Sequence, residues 1–197
     1  MDLALFDFDG TLTGRETFPL FLRAVTPRAR VVAGSVVFAP LVLGYRLGWI
    51  SGSVTRATIV RLALSGLRAD AVAAAGERFA QRVLPDLLRP QALARLQWHR
   101  ERGDTIAVVS GAFDAYLAPW CRAQELTLFC SSLEQRDGRL TGRYRGAQCV
   151  AAEKARRVRE HYDLGRFAAI HAYGDTPEDR ELLNLATHRH YRGEPVI

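Results

Sequence analysis

Two acidic residues lie one residue apart at the end of an apolar run near the start of the chain. The run Leu3-Ala-Leu-Phe leads into Asp7-Phe-Asp9-Gly-Thr11. It predicts a buried strand over residues 3–8, and carboxylates beside a core are costly unless a cation pairs with them. A divalent metal ion is the natural candidate. An Asp-Gly turn explains Asp9 and Gly10 well but explains Asp7 poorly.

Arginine supplies all but one of the 27 basic residues, and Lys154 is the only lysine. A single lysine can fall anywhere by chance, but a site that needs a compact ammonium group would also keep one. The net charge of +6 fits an anionic substrate or an anionic membrane surface. The basic residues are scattered and form no stripe interleaved with aromatic residues, so we expect no nucleic-acid partner.

The cysteine content indicates reduced thiols in a cytoplasmic protein. There are three cysteines and no Cys-x-x-Cys pair, which also makes a zinc site unexpected. Because the first predicted strand begins directly after Met1, we expect no cleaved signal peptide before it. The predicted location is therefore the cytoplasm, with the inner-membrane surface of a bacterium as the alternative.

After residue 90 the chain alternates between strand and helix patterns, which predicts a parallel sheet covered by helices. Strands are expected at 106–110, 126–131, 168–173 and around residues 188–190, a hairpin at 133–144, and helices at 150–162 and 177–186. Helical stretches at about 16–25, 28–47, 53–64 and 70–84 fill the earlier part. We therefore expect an α/β core of residues 1–13 and 89–197, with a helical cap, residues 14–88, inserted after the first strand.

Polar residues end three of these predicted strands. They are the Asp7 and Asp9 pair, Ser110 and Asp175. Because ligand sites of open α/β sheets lie beyond the carboxyl ends of the strands, these residues should meet at one edge. The predicted helix that carries Lys154 precedes the strand leading to Asp175, so the lysine is expected there too.

An uncharged segment, Val31–Tyr45, is bounded by arginines. It is shorter than the roughly 17–25 residues that a membrane-spanning helix needs. One interpretation is a cap helix packed on its neighbours. The other is a helix that lies on a membrane surface, in peripheral contact with lipid.

Together, these motifs resemble the four motifs of haloacid dehalogenase-like phosphatases. The residues that carry the resemblance are Asp7-Phe-Asp-Gly-Thr11, Val109-Ser110-Gly111, Lys154 and Gly174-Asp175-x-x-x-Asp179. The helical insert looks like the type I cap of the phosphoserine-phosphatase-like members, subfamily IB. The resemblance implies a Rossmann-like parallel sheet core and a phosphoric monoester hydrolase.

The resemblance also implies a role for each motif residue. Asp7 would attack phosphorus and form an aspartyl-phosphate, and Asp9 would protonate the leaving group and then activate water. Mg²⁺ would be bound by Asp7, Asp175 and the backbone carbonyl of Asp9. The phosphoryl oxygens would be held by Ser110, Lys154 and the backbone around Gly10, Thr11 and Gly111. Asp179 would orient Lys154 or a metal-bound water.

The substrate is less closely defined. Glu16 matches in position an acidic cap residue that meets the substrate amine in phosphoserine phosphatases, and either Arg56 or Arg61 could bind the carboxylate. However, Glu178 stands where those enzymes usually carry Asn. A small phosphomonoester such as phosphoserine is the first expectation, and the oligomeric state is left open.

A second resemblance points toward lipid. Segments such as Phe18-Pro-Leu-Phe-Leu22 and Asp137-Gly-Arg-Leu-Thr-Gly142 resemble a bacterial group of subfamily IB hydrolases that is similar to phosphatidylglycerophosphate phosphatases. A lipid phosphomonoester is therefore the alternative substrate. Two further alternatives are a non-catalytic phosphate-binding protein and a phosphotransferase with an acceptor other than water.

Overall fold

The computed structural model describes residues 1–32, 43, 47 and 49–196. Most of the uncharged segment Val31–Tyr45, and with it most of the helix predicted at 28–47, lies outside the described residues. Within the described ranges, no helix is both long enough and apolar enough to cross a membrane.

A six-stranded sheet forms the centre of the fold, with the order β3-β2-β1-β6-β7-β8. Its strands are β1 (Leu3–Phe6), β2 (Thr105–Phe113), β3 (Thr127–Ser131), β6 (Ile170–Gly174), β7 (His188–Tyr191) and β8 (Glu194–Val196). All neighbouring strands pair in parallel except β7 and β8, which are antiparallel. The predicted parallel α/β sheet is therefore confirmed, and the carboxyl ends of β1, β2 and β6 lie side by side.

A separate hairpin is formed by β4 (Leu133–Arg136) and β5 (Arg139–Tyr144). Its two-residue loop, Asp137 and Gly138, has φ angles of 50° and 72°. A loop this short needs left-handed backbone at both positions to match the twist of the strands. The hairpin prediction is confirmed.

Seven helices with described bounds surround the sheets, and residues 28–32, at the start of the helix predicted at 28–47, are helical as well. The seven are α1 (Thr17–Val25), α2 (Gly52–Leu64), α3 (Ala69–Arg82), α4 (Pro90–Glu101), α5 (Asp114–Ala123), α6 (Ala152–His161) and α7 (Arg180–Leu183). The first three lie within residues 14–88, where the sequence predicts helices. The exact division into a core and a cap stays a prediction.

Two helices differ from the sequence-based expectation. The helix predicted at 150–162 begins only at Ala152, because Ala151 has a left-handed φ of 48° that an α-helix cannot contain. The helix predicted at 177–186 is a 3₁₀ turn, Pro177–Asp179, followed by the short α7. The Asp179 side chain accepts hydrogen bonds from the turn before it and holds that turn tightly wound.

The two faces of the sheet pack against different layers. Side chains alternate along β1, so Phe6 joins a cluster that includes Phe21 of α1 and Phe79 of α3. Leu5, on the other face, packs in a cluster with Val158 of α6. Helices on both faces thus fix the carboxyl edge of the sheet, where the polar residues of the motifs lie.

Candidate active site

The ammonium group of Lys154 joins two buried carboxylates at the end of β1. Its Nζ lies 2.5 Å from Asp7 Oδ1 and 2.6 Å from Asp179 Oδ1. The Lys154 side chain is 3% exposed and that of Asp179 is fully buried. Burial raises the pKa of Asp7 well above its usual range, although Lys154 opposes this shift. The site therefore has more negative than positive charge and is suited to a further cation.

Asp175 adds a third carboxylate at the end of β6. Asp7, Asp175 and Asp179 each offer an oxygen within 4.8 Å of the others. Burial and the neighbouring Asp179 raise the pKa of Asp175. A Cβ on Gly10 would lie 2.1 Å from Asp175 Oδ2, so the turn after β1 needs glycine to admit this carboxylate. Closely grouped carboxylate oxygens are the ligands that Mg²⁺ prefers, so the donor set fits that ion.

Asp179 is already fully engaged by the protein. Its Oδ1 accepts from Lys154, and its Oδ2 accepts from the backbone N–H groups of Asp175 and Thr176 and from the Thr176 hydroxyl. Burial alone would raise the pKa of Asp179, but Lys154 and these donors hold it below its usual value. These contacts are typical of a residue that orients Lys154. Asp7 and Asp175 are then the carboxylates with oxygens available to a metal ion.

Asp9 has a different environment from Asp7. Its Oδ1 accepts from the backbone N–H of Thr17 at 3.0 Å and from the Thr17 hydroxyl at 2.6 Å. The Thr17 hydroxyl also lies 2.7 Å from Tyr116 OH. Because the Thr17 proton points to the carboxylate, the Tyr116 phenol must donate to Thr17. Burial raises the pKa of Asp9, and the two Thr17 hydrogen bonds lower it.

Thr17 and Tyr116 are site residues that the sequence analysis missed. Thr17 opens α1 directly after the predicted Glu16, and Tyr116 lies in α5, which no motif marks. A Thr or a Tyr at these positions does not indicate a site residue unless it is known which helices pack together. The hydrogen-bonded chain from Asp9 to Tyr116 became visible only from the tertiary structure.

Ser110 and Gly111 lie near the end of β2, beside β1. The Ser110 side chain is buried, and its Oγ accepts a hydrogen bond from the backbone N–H of Ala112 at 3.2 Å. The hydroxyl proton therefore remains able to donate to an anion. A Cβ on Gly111 would lie 2.7 Å from a methyl group of Val150, so a glycine is required for the loop before α6 to approach.

The two cap arginines lie in different places. Arg56 of α2 donates to both carboxylate oxygens of Glu178, at 2.8 and 3.0 Å, and to Gln148 Oε1 at 3.3 Å. Arg61 is exposed, and its backbone lies against Gly142 of β5. Arg56 therefore lies beside Glu178, next to Asp179, while the Arg61 backbone lies beside the β4–β5 hairpin. Which of the two arginines contacts a substrate stays a prediction.

Glu16 lies near acidic and basic side chains of the site that shift its pKa in opposite directions. Partial burial and the carboxylates of Asp9 and Asp175 raise the pKa of Glu16 to about 7, although Arg56 lowers it. Burial, together with the negative side chains of the site, therefore brings the pKa of Glu16 close to neutral pH.

Comparison with known proteins assigns the family. Residues 4–184 match the model of the haloacid dehalogenase-like hydrolases. The chain belongs to this family. The family resemblance drawn from the motifs is confirmed, and the match spans both ends of the chain, including all four motifs.

Individual relatives of this haloacid dehalogenase-like hydrolase cover nearly its whole length. It is 34% identical to the protein CicA of Caulobacter vibrioides, over 98% of this chain and 88% of that relative. A protein of unknown function from Bordetella pertussis has a similar structure, with 28% identity, a TM-score of 0.80 and coverage of 95% and 88%. A substrate-bound phosphoserine phosphatase, at 22% identity, has a TM-score of 0.71 with coverage of 96% and 85%, which shows the shared fold.

The position of Glu16 generates a prediction about stability and pH. Its folded-state pKa of about 7 exceeds the unfolded value of roughly 4.3, so ionisation of Glu16 lowers stability as pH rises between these values. In metal-free protein, Glu16→Gln should therefore be more stable than the wild type at pH 8, by about 1 kcal/mol because Glu16 is partly exposed. At pH 4 the difference should vanish. Thermal unfolding at both pH values measures it.

The matched control is Glu77→Gln, which removes the same charge from an exposed position on α3. It should show no comparable gain at pH 8. Equal stability of Glu16→Gln and the wild type at pH 8 would show that the site carboxylates do not act on Glu16.

Proposed function

We propose that the protein is a Mg²⁺-dependent phosphomonoesterase that acts through an aspartyl-phosphate on Asp7. The observation that carries this proposal is the buried Lys154 between Asp7 and Asp179, with Asp175 beside them. A carboxylate nucleophile and a phosphate repel each other. Lys154 offsets part of this repulsion, and the excess of carboxylates would hold the Mg²⁺ that offsets the rest. Membership of a hydrolase family supports the same reaction class.

The residues around Asp7 have complementary tasks. Lys154 holds the Asp7 carboxylate in one orientation and can share its remaining proton with a phosphoryl oxygen, while the Ser110 hydroxyl donates to another. Mg²⁺, when bound by Asp7, Asp175 and the backbone carbonyl of Asp9, would neutralise charge on the phosphoryl group. Asp7 then forms the P–O bond as the leaving-group oxygen departs.

Asp9 is suited to move the proton. Its raised pKa favours the protonated form that a leaving alkoxide needs. After proton transfer, the carboxylate that remains is stabilised by the two hydrogen bonds from Thr17 and can accept a proton from the attacking water. The Thr17–Tyr116 contact fixes the orientation of this hydrogen-bond chain, so the acid and base roles fall to one positioned carboxyl group.

The nucleophile assignment predicts that Asp7→Asn lowers the rate of aryl phosphate hydrolysis at least about 1000-fold. The variant should fold, because it removes one of two carboxylates from Lys154 and leaves the Lys154–Asp179 pair intact. The control, Asp70→Asn, replaces an exposed carboxylate on α3 and should keep full activity.

Full activity in Asp7→Asn would contradict the aspartyl-phosphate mechanism. Absence of hydrolysis and of Mg²⁺ affinity in the wild type would instead favour the non-catalytic phosphate-binding alternative. Product analysis with competing alcohols measures how the phosphoryl group divides between water and the alcohol, and an ester that remains the main product at low alcohol concentration would favour the phosphotransferase alternative.

We further propose that the preferred substrate is a small phosphomonoester without a carboxylate beside the ester. Arg56 is the cap residue at the site, and both oxygens of Glu178 already occupy its guanidinium group. A substrate carboxylate would have to displace Glu178. Phosphoserine phosphatases usually carry Asn at this position, and Asn has no charge. An Asn here would leave the Arg56 guanidinium group free to bind a substrate carboxylate.

Replacement of this acid should change selectivity. In Glu178→Asn, the ratio of kcat/KM for phosphoserine to that for phosphoethanolamine should rise about tenfold, because the two substrates differ by the carboxylate that Arg56 could then bind. Steady-state kinetics with both substrates measures this ratio. The control is Glu181→Gln, which changes an exposed acid three residues further along the chain. It should leave the ratio unchanged. An unchanged ratio in Glu178→Asn would show that Arg56 does not contact the substrate.

Exposed apolar side chains favour a lipid phosphomonoester as a second candidate. Leu43, Leu47 and Trp49, which flank the undescribed part of the cap, are 56%, 51% and 81% exposed. Such a surface fits the lipid interface, where Trp is favoured, and the net charge of +6 fits anionic headgroups.

The lipid candidate predicts sedimentation with phosphatidylglycerol vesicles at low salt. Trp49→Glu should weaken this binding at least fivefold, because it places a negative charge against the anionic surface. Leu93→Glu, an exposed apolar position on α4, is the control and should bind as the wild type does. Lack of vesicle binding by the wild type would contradict this candidate and leave the soluble substrate.

A further inference from the structure

A cavity of about 400 Å³ opens beside the turn that follows β1. Gly10, Thr11 and Asp175 form the wall that it shares with the proposed active site. The remaining walls come from the start of α4, the ends of β1, β6 and β7, and the turn between β7 and β8. The cavity is therefore next to the reacting groups but has its own lining.

Three arginines from separate segments line this cavity. Arg89 precedes α4, Arg95 lies within α4, and Arg192 is in the turn between β7 and β8. Among the described residues, none of the three forms an ion pair with a carboxylate. Arg95 lies over the Trp98 ring, and Arg192 donates to the backbone carbonyl of Asp175. Three guanidinium groups around one space repel each other until an anion joins them.

The two acids of the cavity offset only part of this charge, although Arg89 acts electrostatically on Asp175. Of the two described carboxylates in its lining, Asp175 is held by the Thr11 hydroxyl at 3.2 Å and faces the other acids of the proposed metal site. Glu194, on β8, is exposed. The backbone N–H groups at the start of α4 add partial positive charge to the same side.

The floor of the cavity is flat, aromatic and held in place. Phe6 stacks on Tyr173 with ring centroids 4.3 Å apart, and Tyr173 stacks on His190 at 4.5 Å. The Tyr173 hydroxyl is bonded to His99 Nε2 at 2.8 Å. Because these rings support one another across β1, β6 and β7, the arginines surround a space that does not collapse.

We infer that this cavity binds a phosphate-like oxyanion distinct from the phosphate that reacts at Asp7. The occupant is either a free oxyanion or a second phosphoryl group of a larger ligand, since both present the same chemistry to the arginines. Because Gly10, Thr11 and Asp175 form the common wall, an anion here lies directly behind the proposed metal-binding carboxylate. The inference goes beyond the proposed function, and of the two binding steps expected in its test only the one at Asp7 rests on that function.

Calorimetric titration of the Mg²⁺-loaded protein with inorganic phosphate, and separately with pyrophosphate, tests the inference. We expect two binding steps in the wild type. One of them should weaken about fivefold in Arg95→Gln and at least about tenfold in Arg95→Glu, which replaces attraction by repulsion. The other step should persist. Arg78→Gln, an exposed arginine on α3, is the matched control and should retain both steps.

The two ligands separate the possible sources of the anion. An Arg95-dependent step with inorganic phosphate supports a site for a free oxyanion, and one seen only with pyrophosphate supports a site for a phosphoryl group of a larger ligand. Identical binding of both ligands by the wild type and Arg95→Glu would overturn the inference. Aryl phosphate hydrolysis, measured in parallel, reports on the proposed function alone, so either proposal can fail without the other.

Discussion

The buried ammonium group of Lys154 is the interaction on which the rest of the site depends. It joins Asp7, at the end of β1, to Asp179, in the turn after β6, although Lys154 itself comes from α6. Removal of Lys154 would leave these buried carboxylates without their cation, which is strongly destabilising. Since one ammonium faces two carboxylates, with Asp175 close by, the protein fixes the geometry without neutralising the site. That remaining negative charge favours a metal ion.

Two aspartates one residue apart thereby gain different properties. Asp7 meets an ammonium group, while Asp9 meets only the neutral donors of Thr17, which is itself held by Tyr116. Lys154 opposes the large rise that burial causes in the pKa of Asp7, whereas the hydrogen bonds from Thr17 oppose the rise in the pKa of Asp9. The two carboxyl groups therefore differ in the partner that stabilises their charged form. The turn after Asp9 brings Asp175 close to this pair, because Gly10 adopts a left-handed φ of 83° and leaves room for the Asp175 carboxylate.

The sequence was sufficient for the sheet, the hairpin and the meeting of four motifs, because each depends on a local pattern. Apolar runs define strands, Asp137-Gly138 defines a tight turn, and parallel strands bring their carboxyl ends together. The Asp9–Thr17–Tyr116 chain and the Arg56–Glu178 pair were not predictable in this way. Each joins residues from elements whose packing no local pattern reveals, and the same limit left Arg56 and Arg61 indistinguishable before the structure placed them.

Charge is distributed unequally around the turn of Gly10 and Thr11. On the cap side, Glu16 and Glu178 face Arg56, so its positive charge is largely cancelled. On the other side, Arg89, Arg95 and Arg192 surround the cavity without carboxylate partners among the described residues. A ligand that approaches on the side of Glu16 and Glu178 therefore meets acids, while an additional anion is attracted to the arginines. Because Asp175 lies between the two regions, an anion bound among the arginines would offset some of their pull on this carboxylate and so alter its attraction for a metal ion.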